Sequence, residues 1–226
     1  MSSTWEYLEE NIGPIKFNNF DKTKISYLLS KRKTETAIYN SAYISCANKA
    51  FGFDTKHDNH LALLEKMFFV DKVATKLIAC TNMKHAFCML KNYPLIGKFM
   101  AYQLATDIGY CDFIPYKESD FTVAGPGAER GIKKTFDSFN SYEEVIWFAY
   151  KNQEQYFKKL GLDFKYILNH KLQPIDIQNL FCEFDKYCRE AHPNLKSNRT
   201  KIKAKYSENK QKIDFVFPTK WNAYLD

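Results

Sequence analysis

Apolar residues along this chain recur at three- and four-residue spacing far more often than they alternate, which predicts helices and few strands. The first signal is a short helix at Trp5–Asn11. Residues 1–33 are otherwise mixed and end in the basic run Lys31-Arg32-Lys33. From Thr34 the pattern reads as helical, with Ile38, Ala42, Tyr43 or Ile44, Ala47 and Phe51 on one face until Gly52 and the polar run 54–59 stop it. A long apolar-periodic segment follows from His60 to Cys80. Thr81 or Asn82 can cap the next helix, which reaches about Lys91. Pro94 and Gly97 punctuate a turn, and GKFMAYQLATDI has the spacing of a helix of about three turns. Residues 110–127 read as a loop, long for a compact domain and so a place to look for function. Helices are expected again at Glu129–Phe136, Tyr142–Leu160 and Ile175–Ala191. The predicted class is mainly α.

Composition narrows the picture. With 226 residues and 45% hydrophobic content the chain can bury a real core. We expect a helical domain over 1–193, with a helical hairpin near 84–109, and a basic extension over 194–226 packed on it or flanking it. The net charge of +7 favours an anionic partner such as nucleic acid. In the extension, Lys196, Arg199, Lys201, Lys203, Lys205, Lys210 and Lys212 are opposed only by Glu208 before Asp214. So dense a run points to phosphate contacts, each of which releases counterions. No apolar run is long enough to span a bilayer, and the N-terminus lacks the pattern of a secretory signal. Six scattered cysteines show no disulfide-framework spacing, which fits reduced thiols and a cytoplasmic setting. His57 and His60 lack further ligands near them, so no metal is expected, and neither a cofactor nor a protein partner is indicated.

Five of the eight glycines (Gly97, Gly109, Gly125, Gly127 and Gly131) fall between Asn92 and Ile132, so special backbone geometry is concentrated there. A glycine at the entry of the second hairpin helix lets several free N–H groups face a phosphate. That places Gly97 and Lys98 against a DNA backbone, with Ala101 allowing the two helices to pack closely. PLIGKFMA resembles the helix-hairpin-helix of DNA-repair glycosylases, in which an aspartate lies beyond the second hairpin helix. Asp120, 23 residues after Gly97, is at a comparable separation. A carboxylate there could stabilise a cationic sugar and orient water. Asp107, Asp112 and Glu118 compete for that role, and a helix cap or loop acid is the plain alternative. Bifunctional members carry a lysine nucleophile where this chain has Phe99, so water rather than lysine is the expected attacker.

Taken in order, PLIGKFMAYQLATDIGY, SDFTVAGPGAERGI, IDIQNLFCEFDKYCREAHP and RTKIKAKY resemble the helical domain of the hydroxymethyluracil DNA kinases and the related thymine pyrophosphorylase-like enzymes, over roughly residues 60–206. The resemblance implies a helix-hairpin-helix DNA glycosylase-like fold acting on a modified pyrimidine in double-stranded DNA. Some relatives are phage-defence glycosylases that excise glucosylated hydroxymethylcytosine. The chain contains no GxxxxGK[ST] phosphate loop and looks more like those stand-alone proteins. The expected activity is therefore a monofunctional, hydrolytic glycosylase that flips a bulky pyrimidine and leaves an abasic site. The alternatives are a transferase building on hydroxymethylpyrimidines in DNA and a non-catalytic DNA-binding module. The resemblance raises Asn179 and Glu183 as base-pocket residues. Tyr102 and Gln103 suit stacking and base-edge contacts. Arg130, Arg199, Lys201, Lys203 and Lys205 are expected on the DNA backbone.

Overall fold

The computed structural model describes residues 3–39, 45–192, 194–195 and 216–221. Those residues are helical and contain no strand, as the spacing predicts. By contacts the chain divides into two compact units, Met1–Lys76 with Tyr93–Leu95, and Leu77–Asn92 with Ile96–Asp226.

The first unit is built on α1 (Thr4–Ile12), α2 (Lys22–Glu35) and α3 (Lys56–Glu65). Leu8, Ile25, Leu28, Leu29 and Leu61 form its core. The helix expected from Thr34 onward is not formed in the described residues 36–39 and 45–51, while 40–44 lie outside them. Its place is taken by α2, one segment earlier, where Ile25, Leu28, Leu29 and Arg32 share a buried face and Asp21 caps the N-terminus. That face was masked in the sequence by its basic neighbours. Arg32 is part of it because its guanidinium lies over the Tyr7 ring at 4.7 Å. The long segment from His60 is also interrupted. A π-helical turn at Lys66–Val70 follows α3, Lys72 adopts φ 50°, and α4 (Val73–Ile78) restarts the helix.

The second unit contains α5 (Met83–Lys91), α6 (Lys98–Gly109), α7 (Pro126–Thr135), α8 (Tyr142–Lys159) and α9 (Pro174–Ala191). Asn82 caps α5 by accepting the His85 N–H at 3.0 Å. Helices α5 and α6 pack against each other, and Ala101 and Ala105 on α6 are fully buried. Around Ala124, Ala128, Ile132, Val145, Ile146 and Ile177 the remaining helices close a second core.

The glycines at the entry to α7 serve the packing of one helix on another. A Cβ on Gly131 would lie 2.0 Å from the Phe181 carbonyl oxygen, and one on Gly127 would lie 2.3 Å from Cys182 Sγ. These glycines exist so that α7 and α9 can touch backbone to backbone. The same interface buries Asp185 completely, with Lys134 Nζ at 2.7 Å and Arg130 Nε at 2.9 Å. Within the C-terminal extension, the described segment 216–221 belongs to this unit and ends in a 3-10 turn at Thr219–Trp221.

Candidate functional site

The loop between α6 and α7 is anchored along its length. Ile114, Tyr116, Val123 and Ala124 are buried. Tyr116 lays its ring on Gly109 and donates its hydroxyl to the Ala105 carbonyl at 3.2 Å. Such a loop can hold one side chain in a fixed place, and here that side chain is Glu118. Its carboxylate is buried and takes three donors: the Tyr110 hydroxyl at 3.0 Å, the Trp221 indole N–H at 2.8 Å and His170 Nε2 at 3.1 Å.

Each partner is positioned by a different piece of chain. Tyr110 is the C-cap of α6. His170 follows a 3-10 turn, Ile167–Asn169, and donates its own backbone N–H to the Ile167 carbonyl at 2.8 Å. Trp221 is brought in by Lys220, whose ammonium donates to the carbonyls of Gly109, Ile114 and Tyr116 at 2.7, 2.6 and 3.3 Å. A cation is favourable there, at the carbonyl end of α6. The Thr219 hydroxyl adds a bond to Asp112. The imidazole of His170 lies flat against the Trp221 ring, with centroids 4.1 Å apart and planes 15° from parallel, and Tyr110 meets Trp221 edge-on at 5.8 Å.

The electrostatics of this cluster are acidic. Burial pushes the Tyr110 hydroxyl well above its ordinary range, and Glu118, Asp176 and Asp107 push it further. Asp107 is raised by burial. Asp176 is raised by burial as well, against the opposing effects of the Gln173 N–H it accepts and of His170. Because a carboxylate only accepts, His170 presents Nε2–H to Glu118, leaving Nδ1 as the basic nitrogen. Among the described residues nothing hydrogen-bonds that Nδ1. The arrangement suits recognition of N–H and O–H donors and removal of a proton by an oriented imidazole.

The residues singled out in the sequence are scattered relative to this cluster. Asp120 is exposed, and its carboxylate closes a turn by accepting the Lys117 N–H at 2.8 Å. The carboxylate that the loop buries is Glu118, two residues earlier. Tyr102 is wholly within the core, donating to Thr122 at 3.2 Å, and has no surface from which to meet a base. Gln103 is half-buried, and its Nε2 has no partner among the described residues. Asn179 accepts from Gln178 at 2.7 Å, while Gln178 itself holds the Gly125 N–H at 3.0 Å. Glu183 is exposed and pairs with Lys186. Arg130 ties α7 to α9 through Asp185 instead of reaching outward. Gly97 begins α6 without a side-chain cap, and a Cβ there would meet nothing within 4 Å. Lys98 lies 3.5 Å from Glu143 and 3.9 Å from Glu129, so its charge is answered locally. Arg199, Lys201, Lys203 and Lys205 lie outside the described residues. Sequence reasoning missed His170 and Trp221. The available signal was the aromatic ending FVFPTKW, apolar residues closing an otherwise charged tail.

The first unit holds a cavity of about 420 Å³ lined by Trp5, Phe17, Phe20, Phe68 and Phe69 among others. Its polar groups are largely committed. Thr4 donates to the Ile38 carbonyl, Tyr39 pairs with His60 Nδ1 at 2.9 Å, His60 Nε2 meets the Cys46 carbonyl at 2.8 Å, and His57 Nε2 pairs with Ser30 at 3.0 Å. An unpaired base edge would find little to bond with there.

Comparison with known proteins adds what geometry does not. The family described as the helical domain of 5-hmdU DNA kinase matches residues 1–197. A 5-hmdU DNA kinase of Bacillus phage SP10 is 24% identical over 183 residues, which is 71% of this chain and 28% of that protein. The chain thus spans little more than a quarter of that relative's length. No solved structure matches. A kinase transfers a phosphoryl group and breaks no glycosidic bond. These matches therefore overturn the expected hydrolytic glycosylase, together with its abasic product and its setting in antiviral defence, and favour the transferase alternative. None of the described helices is long and apolar enough to cross a membrane. Matched over residues 1–197, the chain belongs to the family of 5-hmdU DNA kinase helical domains.

Proposed function

We propose that this chain is the DNA-reading part of an enzyme that transfers a phosphoryl group to a hydroxymethylpyrimidine in double-stranded DNA, with 5-hydroxymethyluracil as the base. The family match over residues 1–197 carries the reading, and the Glu118–His170 pair supplies chemistry that fits it. In this reading His170 Nδ1 takes the proton of the hydroxymethyl group as its oxygen attacks the terminal phosphorus of a nucleotide. One P–O bond forms, the bond to the departing nucleoside diphosphate breaks, and Glu118 holds the imidazole in the required tautomer. The 226 residues contain no GxxxxGK[ST] loop.

Backbone contacts are assigned to the α5–α6 hairpin as a helix-hairpin-helix element within a glycosylase-like helical fold, and to the basic tail with Arg199, Lys201, Lys203 and Lys205. The open space around Gly97 supports close approach of a phosphate to the first N–H groups of α6. With Lys98 answered by Glu143 and Glu129, that contact rests on backbone N–H groups more than on a lysine.

The test is equilibrium binding of matched duplexes carrying one 5-hydroxymethyl-dU or one thymidine at near-physiological salt. A preference of about tenfold or more for the modified duplex is expected, in line with ~1–3 kcal/mol for a recognised base difference. Equal affinity would overturn the reading. When the nucleotide-binding portion of a longer relative is supplied with ATP, phosphorylated nucleoside should appear by mass spectrometry and be lost in His170→Gln.

A further inference from the structure

Trp221 is held in the way a nucleobase is held. One face of its ring stacks on His170 at 4.1 Å, Tyr110 walls it edge-on, and its single ring N–H points into Glu118 at 2.8 Å. Stacking on one ring and bonding a ring N–H to a fixed acceptor are the two contacts by which proteins read an unstacked base. An indole is also close in size to 5-hydroxymethyluracil. We propose that the space filled by the Trp221 ring is the slot for an extruded pyrimidine-2,4-dione, and that Trp221 is its intramolecular stand-in. The inference rests on the DNA-modifying role proposed above and adds where the base goes and which base is accepted.

The chemistry of the slot is selective. A uracil or thymine ring carries N3–H, which donates to Glu118 as the indole does. A cytosine turns a bare N3 lone pair toward the same carboxylate, so acceptor faces acceptor and the indole's donor is not replaced. Base and phosphate recognition are thereby separated, since the slot is lined by acids while the chain as a whole is at +7.

The slot can open without undocking the segment. Lys220 stays fixed by three carbonyls and Thr219 by Asp112, so rotation of the Trp221 side chain alone vacates the space. While Trp221 occupies it, apparent affinity for a flipped base is lowered by the fraction of time the slot is closed.

Trp221 is one of three tryptophans, so Trp5→Phe with Trp147→Phe makes it the sole tryptophan, selectively excited at the red edge of the band. Adding a duplex with one 5-hydroxymethyl-dU should increase iodide quenching of Trp221, and a duplex with 5-hydroxymethyl-dC should not. Trp221→Ala should tighten binding of the first duplex about tenfold, with Trp221→Phe in between because it keeps the stack and gives up the N–H. Thermal melts of each variant report folding. If an alanine variant proves unfolded, quenching of the native Trp221 decides alone. A preference for 5-hydroxymethyl-dU with unchanged Trp221 quenching would overturn the slot and leave the proposed function standing. Absence of any preference for 5-hydroxymethyl-dU over thymidine would overturn the proposed function, and equal quenching by the 5-hydroxymethyl-dC duplex would overturn the slot.

Discussion

The contact between α7 and α9 gives a sharp test because two physical effects predict opposite signs. Replacing Gly131 by alanine in a helix interior should stabilise the protein by about 1 kcal/mol if only helix propensity matters. The structure predicts the reverse. A Cβ at Gly131 would sit 2.0 Å from the Phe181 carbonyl oxygen, 2.8 Å from its carbonyl carbon and 3.2 Å from its Cα. These are backbone atoms of α9, so no side-chain rotation relieves the overlap. Restoring an ordinary contact of about 3.5 Å requires the helices to part by roughly 1.5 Å. That separation also strains the Gly125–Gln178 hydrogen bond and the Arg130 and Lys134 bonds to Asp185. Overpacking of this kind costs about 3 kcal/mol, leaving a net loss of about 2 kcal/mol after the propensity gain. For a unit of this size that lowers Tm by about 4–8 °C in a thermal melt followed by circular dichroism. Gly127→Ala should lose less, because its nearest neighbour is the Cys182 thiol, and Gly97→Ala should change stability by no more than about 1 kcal/mol. A Gly131→Ala protein as stable as wild type would refute the backbone-to-backbone packing.

Other expectations follow from the buried charges and the tail. Asp185→Asn leaves Arg130 and Lys134 without their carboxylate and should cost about 3–5 kcal/mol at pH 7 by urea unfolding. Burial alone would raise the Asp185 carboxyl, but the Lys134 and Arg130 bonds outweigh it and hold it below the usual range. Its stabilisation is therefore present above about pH 4 and lost as pH falls through the depressed value, so wild type should show an acid-dependent loss that the Asn variant lacks. Lys220→Met strips three carbonyls of their donor and should destabilise by about 2–3 kcal/mol while abolishing the Trp221 environment seen by fluorescence. Neutralising Lys201, Lys203 and Lys205 together should flatten the salt dependence of DNA binding by about 0.9 per lost phosphate contact, read from log K against log salt. An unchanged slope would remove those lysines from the interface.

Helices with an open apolar stripe were legible from sequence with or without a side-chain cap, and the one whose stripe is crowded by basic residues was not. Of Thr81 and Asn82, Asn82 caps α5, and the helix expected at Tyr142–Leu160 is α8. Helix α2 was missed because lysines and an arginine crowd its buried positions, and Arg32 is itself buried over Tyr7. The helix expected from Thr34 had the right spacing but no comparable cap at its start, and spacing alone over so few residues fits a coil equally well. In GPGAERG, glycine clustering was visible but its cause was not. Close approach of a ligand and close approach of another helix demand the same residue, and only Phe181 and Cys182 across the gap distinguish them.

The site was less legible than the fold because its partners are distant in sequence. Glu118 meets His170 across 52 residues and Trp221 across 103, separations that no local spacing rule reaches. Asp120 was favoured over Glu118 on its distance from Gly97, yet exposure decides which carboxylate can orient an imidazole. Water around Asp120 competes for every bond it offers, whereas Glu118 is removed from solvent and meets three fixed donors. That contrast bears on how a basic chain can read a neutral base. A lysine-rich slot would draw in phosphate and hold the backbone where the base should be. Acidic groups at the proposed slot, with the neighbouring Lys220 committed to three carbonyls, favour a ring N–H over a backbone phosphate there.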